Sequence, residues 1–213
     1  MNIIECKQGS DEWFQARLGK VSTSHFSDVL AKGKLKKDGT YSPSKSRHDY
    51  MLKLATEVTD GVTEPTFKNG YMKWGNETEE GAREHYEALY DVEVKQVGFC
   101  QLNDWVGCSP DGLIGDNGGL ELKCPKGTTH NNYILTKIQK LPQAYYSQVQ
   151  GSMWVTGRKW WDWASYNPRN KYKPIYSIRV LRDEKYIENL KIEVNKFVAK
   201  LQEMINELTN TAF

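Results

Sequence analysis

The chain has 213 residues, 38% hydrophobic and 26% charged, which fits one sizeable globular core and excludes a disordered or low-complexity protein. Its formal net charge of +2 is too small to mark an open nucleic-acid binder unless basic residues gather on one face. No apolar run is long enough to span a bilayer, the opening residues lack a secretory signal pattern, and the four cysteines and four histidines lack zinc-ligand spacing; the expectation is a cytoplasmic protein with free thiols and no membrane partner.

In chain order, "SDEWFQARLGKVSTSHFSDVLA" offers Ser10 as a helix cap, breaks at Gly19 and restarts at Ser22, Thr23 and Ser24. A basic loop, "AKGKLKKDG", holds Lys32, Lys34, Lys36 and Lys37. Two helices follow, one with Tyr50, Leu54 and Val58 on a face and one with Ala82, Tyr86 and Leu89. From Val92 the runs "VEVKQVGFCQL", "WVGCSPDGLIG" and "GLELKCP" read as strands of one sheet, with "DNGG" as a hairpin turn. The stretch after Pro125, "KGTTHNNYILTKIQK", reads as a loop. A helix from about Leu141, two strand-like runs, "WWDWASYN" and "PIYSIRVLR", and a long amphipathic helix close the chain. Between those two runs, "RNKYKP" (Arg169, Lys171, Lys173) is either a solvated loop or a contact for phosphates. The order predicts an α/β fold, a mixed central β-sheet flanked by helices, in a single domain over residues 1–213.

Residues two apart on a strand share a face, so Glu121 and Lys123 point one way while Leu120, Leu122 and Cys124 point the other. Asp111 lies across the hairpin and can bring its carboxylate beside that of Glu121. Two carboxylates in one small volume repel unless a cation sits between them, and hard oxygen donors suit Mg²⁺, with Mn²⁺ as a substitute. A solvated Asp–Lys or Glu–Lys pair is the plainer alternative and leaves one acid unexplained. Such a metal with a nearby lysine performs phosphodiester hydrolysis. Glu79 can project from its helix toward this group, or form an exposed i,i+4 pair with Arg83.

Pro110-Asp111 followed by Glu121-Leu122-Lys123 matches the signature of the PD-(D/E)xK nucleases, whose core is restriction-endonuclease-like. With "WGNETEEGAR", "AYYSQVQGSMWVTG", "WASYNPR" and "RDEKY" in order and at similar spacing, the chain resembles the YqaJ-type viral recombinase family from Trp13 to the last helix.

That resemblance implies a magnesium-dependent exonuclease that degrades one strand of a double-stranded DNA end from 5′ to 3′, releases mononucleotides and leaves a 3′ single-stranded tail for recombination by strand annealing. It also implies a ring-shaped homotrimer around the DNA, a phage single-strand annealing protein as partner, and a phage or prophage source in a bacterial cytoplasm. Position by position it makes Asp111 and Glu121 metal ligands of one or two ions, with the Leu122 carbonyl as a backbone ligand and Glu79 as a further acid, directly or through water. Lys123 orients the attacking water, and Gln148 and Tyr145 line the site. Arg17, Ser22 and Ser24 become the pocket for the DNA 5′-phosphate, a role that a helix start with hydroxyls can fill physically. Met72 falls where phage enzymes of this kind carry an apolar wedge, and Lys34 becomes a contact to the duplex. A DNA-end-binding module without cleavage would have no use for the acids, and an endonuclease would have none for a terminal-phosphate pocket. The shorter opening and the different stretch after Pro125 set the chain apart from those enzymes.

Overall fold

The structure, a computed structural model, describes residues 1–63 and 70–210, and the side chains of 70–77 lie outside the description. Its elements run β1 (Asn2–Ile4), α1 (Asp11–Arg17), β2 (Val21–Ser22), a 3₁₀ turn (Thr23–His25), α2 (Phe26–Leu30), α3 (Lys45–Asp60), α4 (Gly70–Tyr90), β3 (Val94–Lys95), β4 (Phe99–Gln101), β5 (Val106–Cys108), β6 (Gly112–Ile114), β7 (Gly118–Lys123), α5 (Gly127–Leu135), α6 (Gln143–Thr156), β8 (Trp160–Tyr166), β9 (Ile175–Leu181) and α7 (Glu184–Thr209). Ser10 caps α1 by accepting from the Trp13 amide, Ser44 caps α3, and Asp183 caps α7. Gly61 and Gly157 end α3 and α6 in the left-handed conformation, where a Cβ would be costly.

The strands form two mixed sheets rather than one. The first has the order β1-β4-β5-β2 and the second β3-β6-β7-β8-β9, with β2/β5 and β7/β8 parallel and the other pairs antiparallel. The two long runs expected as single strands each divide between the sheets. The second run crosses at Ser109-Pro110-Asp111, where proline cannot donate to a ladder.

On one face of the second sheet α4 packs Ala82 and Tyr86 against Leu120, Leu122 and Ala164. On the other, Trp163 meets Tyr133 of α5 and Tyr145 of α6, while Trp161 joins a larger core with α2, α3, α6 and α7. Ile187, Leu190, Val194, Phe197, Leu201 and Ile205 bury one stripe of α7 at helical spacing, worth about 1.5–3 kcal/mol for each side chain fully removed from water.

Three sequence expectations change here. Val58, 37% exposed, packs on the Gly19 turn rather than into the core, and Leu89, 55% exposed, lies in the last turns of α4. The stretch after Pro125 holds a helix, α5, fixed by its one buried residue, His130.

Gly119 faces Trp161 across the parallel pair so closely that a Cβ would sit 2.3 Å from the indole ring. Gly119→Ala therefore overpacks the sheet and should destabilise the fold by about 1–3 kcal/mol, lowering the thermal midpoint by about 5 °C. An unchanged melting curve by circular dichroism would contradict this packing.

Candidate active site

The last backbone pair of the β6–β7 hairpin is Gly112 with Leu120. Beyond it, the Asp111 side chain replaces the missing strand partner, and its Oδ2 accepts from the Leu122 amide at 2.6 Å. A strand residue's N–H and C=O face the same neighbour, so the Leu122 carbonyl opens on the Asp111 side as well. Glu121, 3% exposed, turns to the opposite face of the sheet from Leu122. There it accepts from Lys123 Nζ and, at 2.6 Å, from Gln148 Nε2 of α6. Lys123 Nζ also lies 5.7 Å from the ring centre of Tyr145.

The hairpin thus carries Asp111, Glu121 and Lys123 together, and α6 adds Gln148 and Tyr145. Glu79 of α4 joins the same field while paired to Arg83 at 3.4 Å. That pair is not an exposed one: the Arg83 side chain is only 12% accessible, and its Nε reaches the Asp111 carbonyl at 3.4 Å. Turned so that its amide oxygen faces the guanidinium, Gln96 completes the arginine's contacts.

Burial, then Glu121 and Glu79, push the Asp111 carboxyl well above its ordinary range, against the smaller pull of Lys123 and the Leu122 amide. Glu79 is raised by burial too, with Arg83 opposing and Glu121 reinforcing. For Lys123, burial works to release the proton, but Glu121 and Asp111 outweigh it and hold the ammonium more tightly than in water. Lys123 is therefore a fixed cation and donor, not a base.

Among the described residues, no three Asp, Glu, His or Cys side chains meet closely enough to enclose an ion by themselves. The donors this hairpin offers, two carboxylates that repel each other and a backbone carbonyl on the Asp111 side, are of the kind that Mg²⁺ takes, since it accepts one or two protein carboxylates and keeps several waters.

Arg17 Nη1 donates to Ser109 Oγ at 2.8 Å, and the guanidinium lies 4.4 Å from the Trp13 ring centre. Trp13 Nε1 also donates to Ser109 Oγ, at 2.9 Å. Burial lowers the Arg17 pKa, opposed by Tyr50, Glu57 and Cys108. The Tyr50 hydroxyl accepts from the Ser22 amide at 3.0 Å, and the Ser22 and Ser24 hydroxyls lie 3.2 Å apart. Ser22 thus meets Tyr50 through its main chain and Ser24 through its hydroxyl, while Arg17 is held by Ser109 and Trp13. Ser109, absent from the sequence reading, ties this group to the acids; its only sequence signal is a hydroxyl two residues before Asp111.

Lys34 is exposed on a loop closed by the Leu35–Tyr41 bridge. Neighbouring loop residues line a groove with Arg47, Met51 and Glu193, and the groove's lining includes none of Glu79, Asp111 and Glu121. Met72 lies on α4 but outside the described side chains.

A family model described as a YqaJ-like viral recombinase domain matches residues 12–159. The chain belongs to this family. The matched segment holds Arg17, Glu79, Asp111, Glu121, Lys123, Tyr145 and Gln148. An alkaline exonuclease from Laribacter hongkongensis superposes with a TM-score of 0.82 at 35% identity, covering 93% of this chain and 96% of that one. Its complex with dAMP gives 0.83 over the same shares at the same identity. A phage-related exonuclease from Haemophilus somnus, 18% identical with a TM-score of 0.67 over 89% of this chain and 96% of its own, shares the fold. A curated Escherichia coli (strain K12) protein named ExoD is 36% identical over 76 residues, 36% of this chain and 87% of that protein. The fold is the mixed α/β nuclease fold of the alkaline exonucleases. No helix among the described residues is long and apolar enough to cross a membrane.

Proposed function

We propose that this protein is a magnesium-dependent 5′ to 3′ exonuclease of double-stranded DNA, acting through Asp111, Glu121 and Lys123 and releasing mononucleotides from a terminus held by Arg17. The observation that carries the reading is the Arg17–Ser109 hydrogen bond two residues from Asp111. Two residues span at most about 7 Å, so a pocket for a terminal phosphate and a cleavage site stand one or two nucleotide steps apart. The relative's complex with dAMP, a mononucleotide, supports a mononucleotide product.

When bound, a divalent cation supplies an activated water and neutralises charge on the scissile phosphate. Asp111, Glu121 and the Leu122 carbonyl would hold it, and Glu79 would reach it directly or through water. Lys123 orients the attacking water and steadies negative charge as it grows on the phosphoryl oxygen, and Gln148 keeps Glu121 in place. Arg83 holds the main chain of Asp111 and the carboxylate of Glu79. Tyr145 backs the lysine. Ser22 and Ser24 complete the phosphate pocket, while Lys34 and Met72 would meet the duplex. The same reading treats residues 1–213 as one exonuclease domain acting as a ring-shaped homotrimer in a bacterial cytoplasm. It supplies 3′ tails to a phage-type annealing protein.

Linear duplex labelled separately at its 5′ and 3′ ends tests this. Magnesium-dependent release of the 5′ label as mononucleotide, stopped by EDTA, is expected. Internal cuts would make the protein an endonuclease, and intact DNA with retained end binding would make it a loading module. Within the reading, Arg17→Ala should erase a preference for 5′-phosphorylated over 5′-hydroxyl ends of about 10- to 100-fold, the worth of one or two charge-assisted hydrogen bonds. A preserved preference in competition assays would move the pocket elsewhere.

A further inference from the structure

The net charge conceals a strong asymmetry. Residues 122–182 hold eleven Lys or Arg and a single acid, Asp162, so a chain of net charge +2 carries +10 in these 61 residues. That one acid is buried and taken up by Arg179, which donates Nε and Nη2 to it at 2.8 Å each, and by the Tyr86 hydroxyl. The segment includes β8 and its turn to β9, where Arg169, Lys171 and Lys173 surround Tyr172.

This turn is built, not loose. The Asn170 side chain accepts from the Tyr172 and Lys173 amides at 3.1 and 3.0 Å and donates to Asn131 of α5 at 3.0 Å. Asn167 Oδ1 accepts from the Arg169 amide, and the Asn167 amide donates to the Pro174 carbonyl at 2.8 Å. His130, wholly buried, binds the Lys173 carbonyl through Nε2 and Ser165 through Nδ1, both at 2.8 Å. A carbonyl only accepts, so Nε2 carries a proton and donates it to Lys173. At the tip, Tyr172 is 95% exposed.

A large aromatic held out in water by a rigid turn among cations is a stacking platform that pays little ordering entropy on contact. Ser165 pairs with Lys123 across β7 and β8, and seven further residues place Tyr172 at most about 30 Å from the lysine, under one turn of duplex. Bases inside a duplex are stacked on each other, so the exposed ring fits an unpaired base.

We propose that the 169–173 turn is a docking surface for the unpaired strand of a resected DNA end, with Tyr172 stacking on a base and Lys171 and Lys173 on its phosphates. The proposal rests on the exonuclease reading, because resection is what exposes that strand. The turn lies beyond the segment that the family model matches.

Fluorescence anisotropy with the full chain in EDTA, using a labelled oligothymidylate of about 15 nucleotides and a blunt duplex of the same length, tests it. Tyr172→Ala should lose about 5- to 100-fold in single-strand affinity, while Tyr172→Phe keeps it. The salt dependence should be unchanged in Tyr172→Ala and shallower by about 0.7 in log–log slope for Lys171→Gln. Matching melting curves of wild type and Tyr172→Ala would show that an exposed residue was changed without loss of fold. Wild-type single-strand affinity in Tyr172→Ala, or equal losses for single strand and duplex, would overturn the proposal. The end-labelled duplex assay on wild type reads the exonuclease separately. A wild type that releases no nucleotide but loses single-strand affinity in Tyr172→Ala would sink the activity and leave the docking surface standing.

Discussion

Lys123→Ala is expected to lower nucleotide release from linear duplex by about 10²- to 10³-fold, the usual cost of deleting one fixed donor to developing charge. The ammonium is held protonated by Glu121 and Asp111, so it supplies charge at any working pH and adds no limb of its own to the pH–rate profile. The substitution also strips a buried carboxylate of its cation and leaves Gln148 as its remaining hydrogen-bond partner. A stability loss of about 3 kcal/mol should accompany the kinetic loss. Rates must therefore be compared below the mutant's melting temperature, and kcat rather than KM should carry the change. A kcat within tenfold of wild type would remove Lys123 from the reacting phosphate.

Magnesium should raise the wild-type melting temperature by about 5–10 °C at a hundred times its dissociation constant, and Asp111→Asn should lose nearly all of that gain. Without metal the mutant should melt higher than wild type. The sign follows from linkage. A carboxyl whose folded pKa is raised above its unfolded value, about 3.9, contributes stability below that value and loses it as pH rises through the folded pKa. At neutral pH the wild-type fold bears that cost and the neutral amide does not, while asparagine still offers an oxygen to the Leu122 amide. The advantage of the mutant should grow as pH rises above about 4, the unfolded value. A metal-free mutant several degrees less stable than wild type would mean that the acids are a structural pair instead.

The hairpin and its charges were legible because alternation and the turn both act within twelve residues: "GLIGDNGGLELK" fixes a face for each side chain. The closing helix was legible for the same reason, its apolar stripe recurring over about five turns. The division into two sheets was not, because β4, β5 and β6 have three residues each and their pairing is decided by long-range contacts. Helix α5 was missed because it has no apolar stripe. His130 anchors it through hydrogen bonds, and Leu135 is 81% exposed. Ser109 shows nothing of its role until folding sets Arg17 and Trp13 against it. The charge asymmetry was readable from the start, but its meaning needed the turn that displays it.

The Asp111 side chain standing in for a strand partner makes the distant hairpin turn a ruler. The exposed residues 115–117 set which β6 residue lies opposite Leu120, and with it the distance from Asp111 to the Leu122 amide. One residue added at that turn would slide β6 by about 3.4 Å and send its side chains to the opposite face. The chemistry is thus addressed by counting along the chain as much as by the identity of its acids, and a change at the rim can silence a site whose every residue is still present.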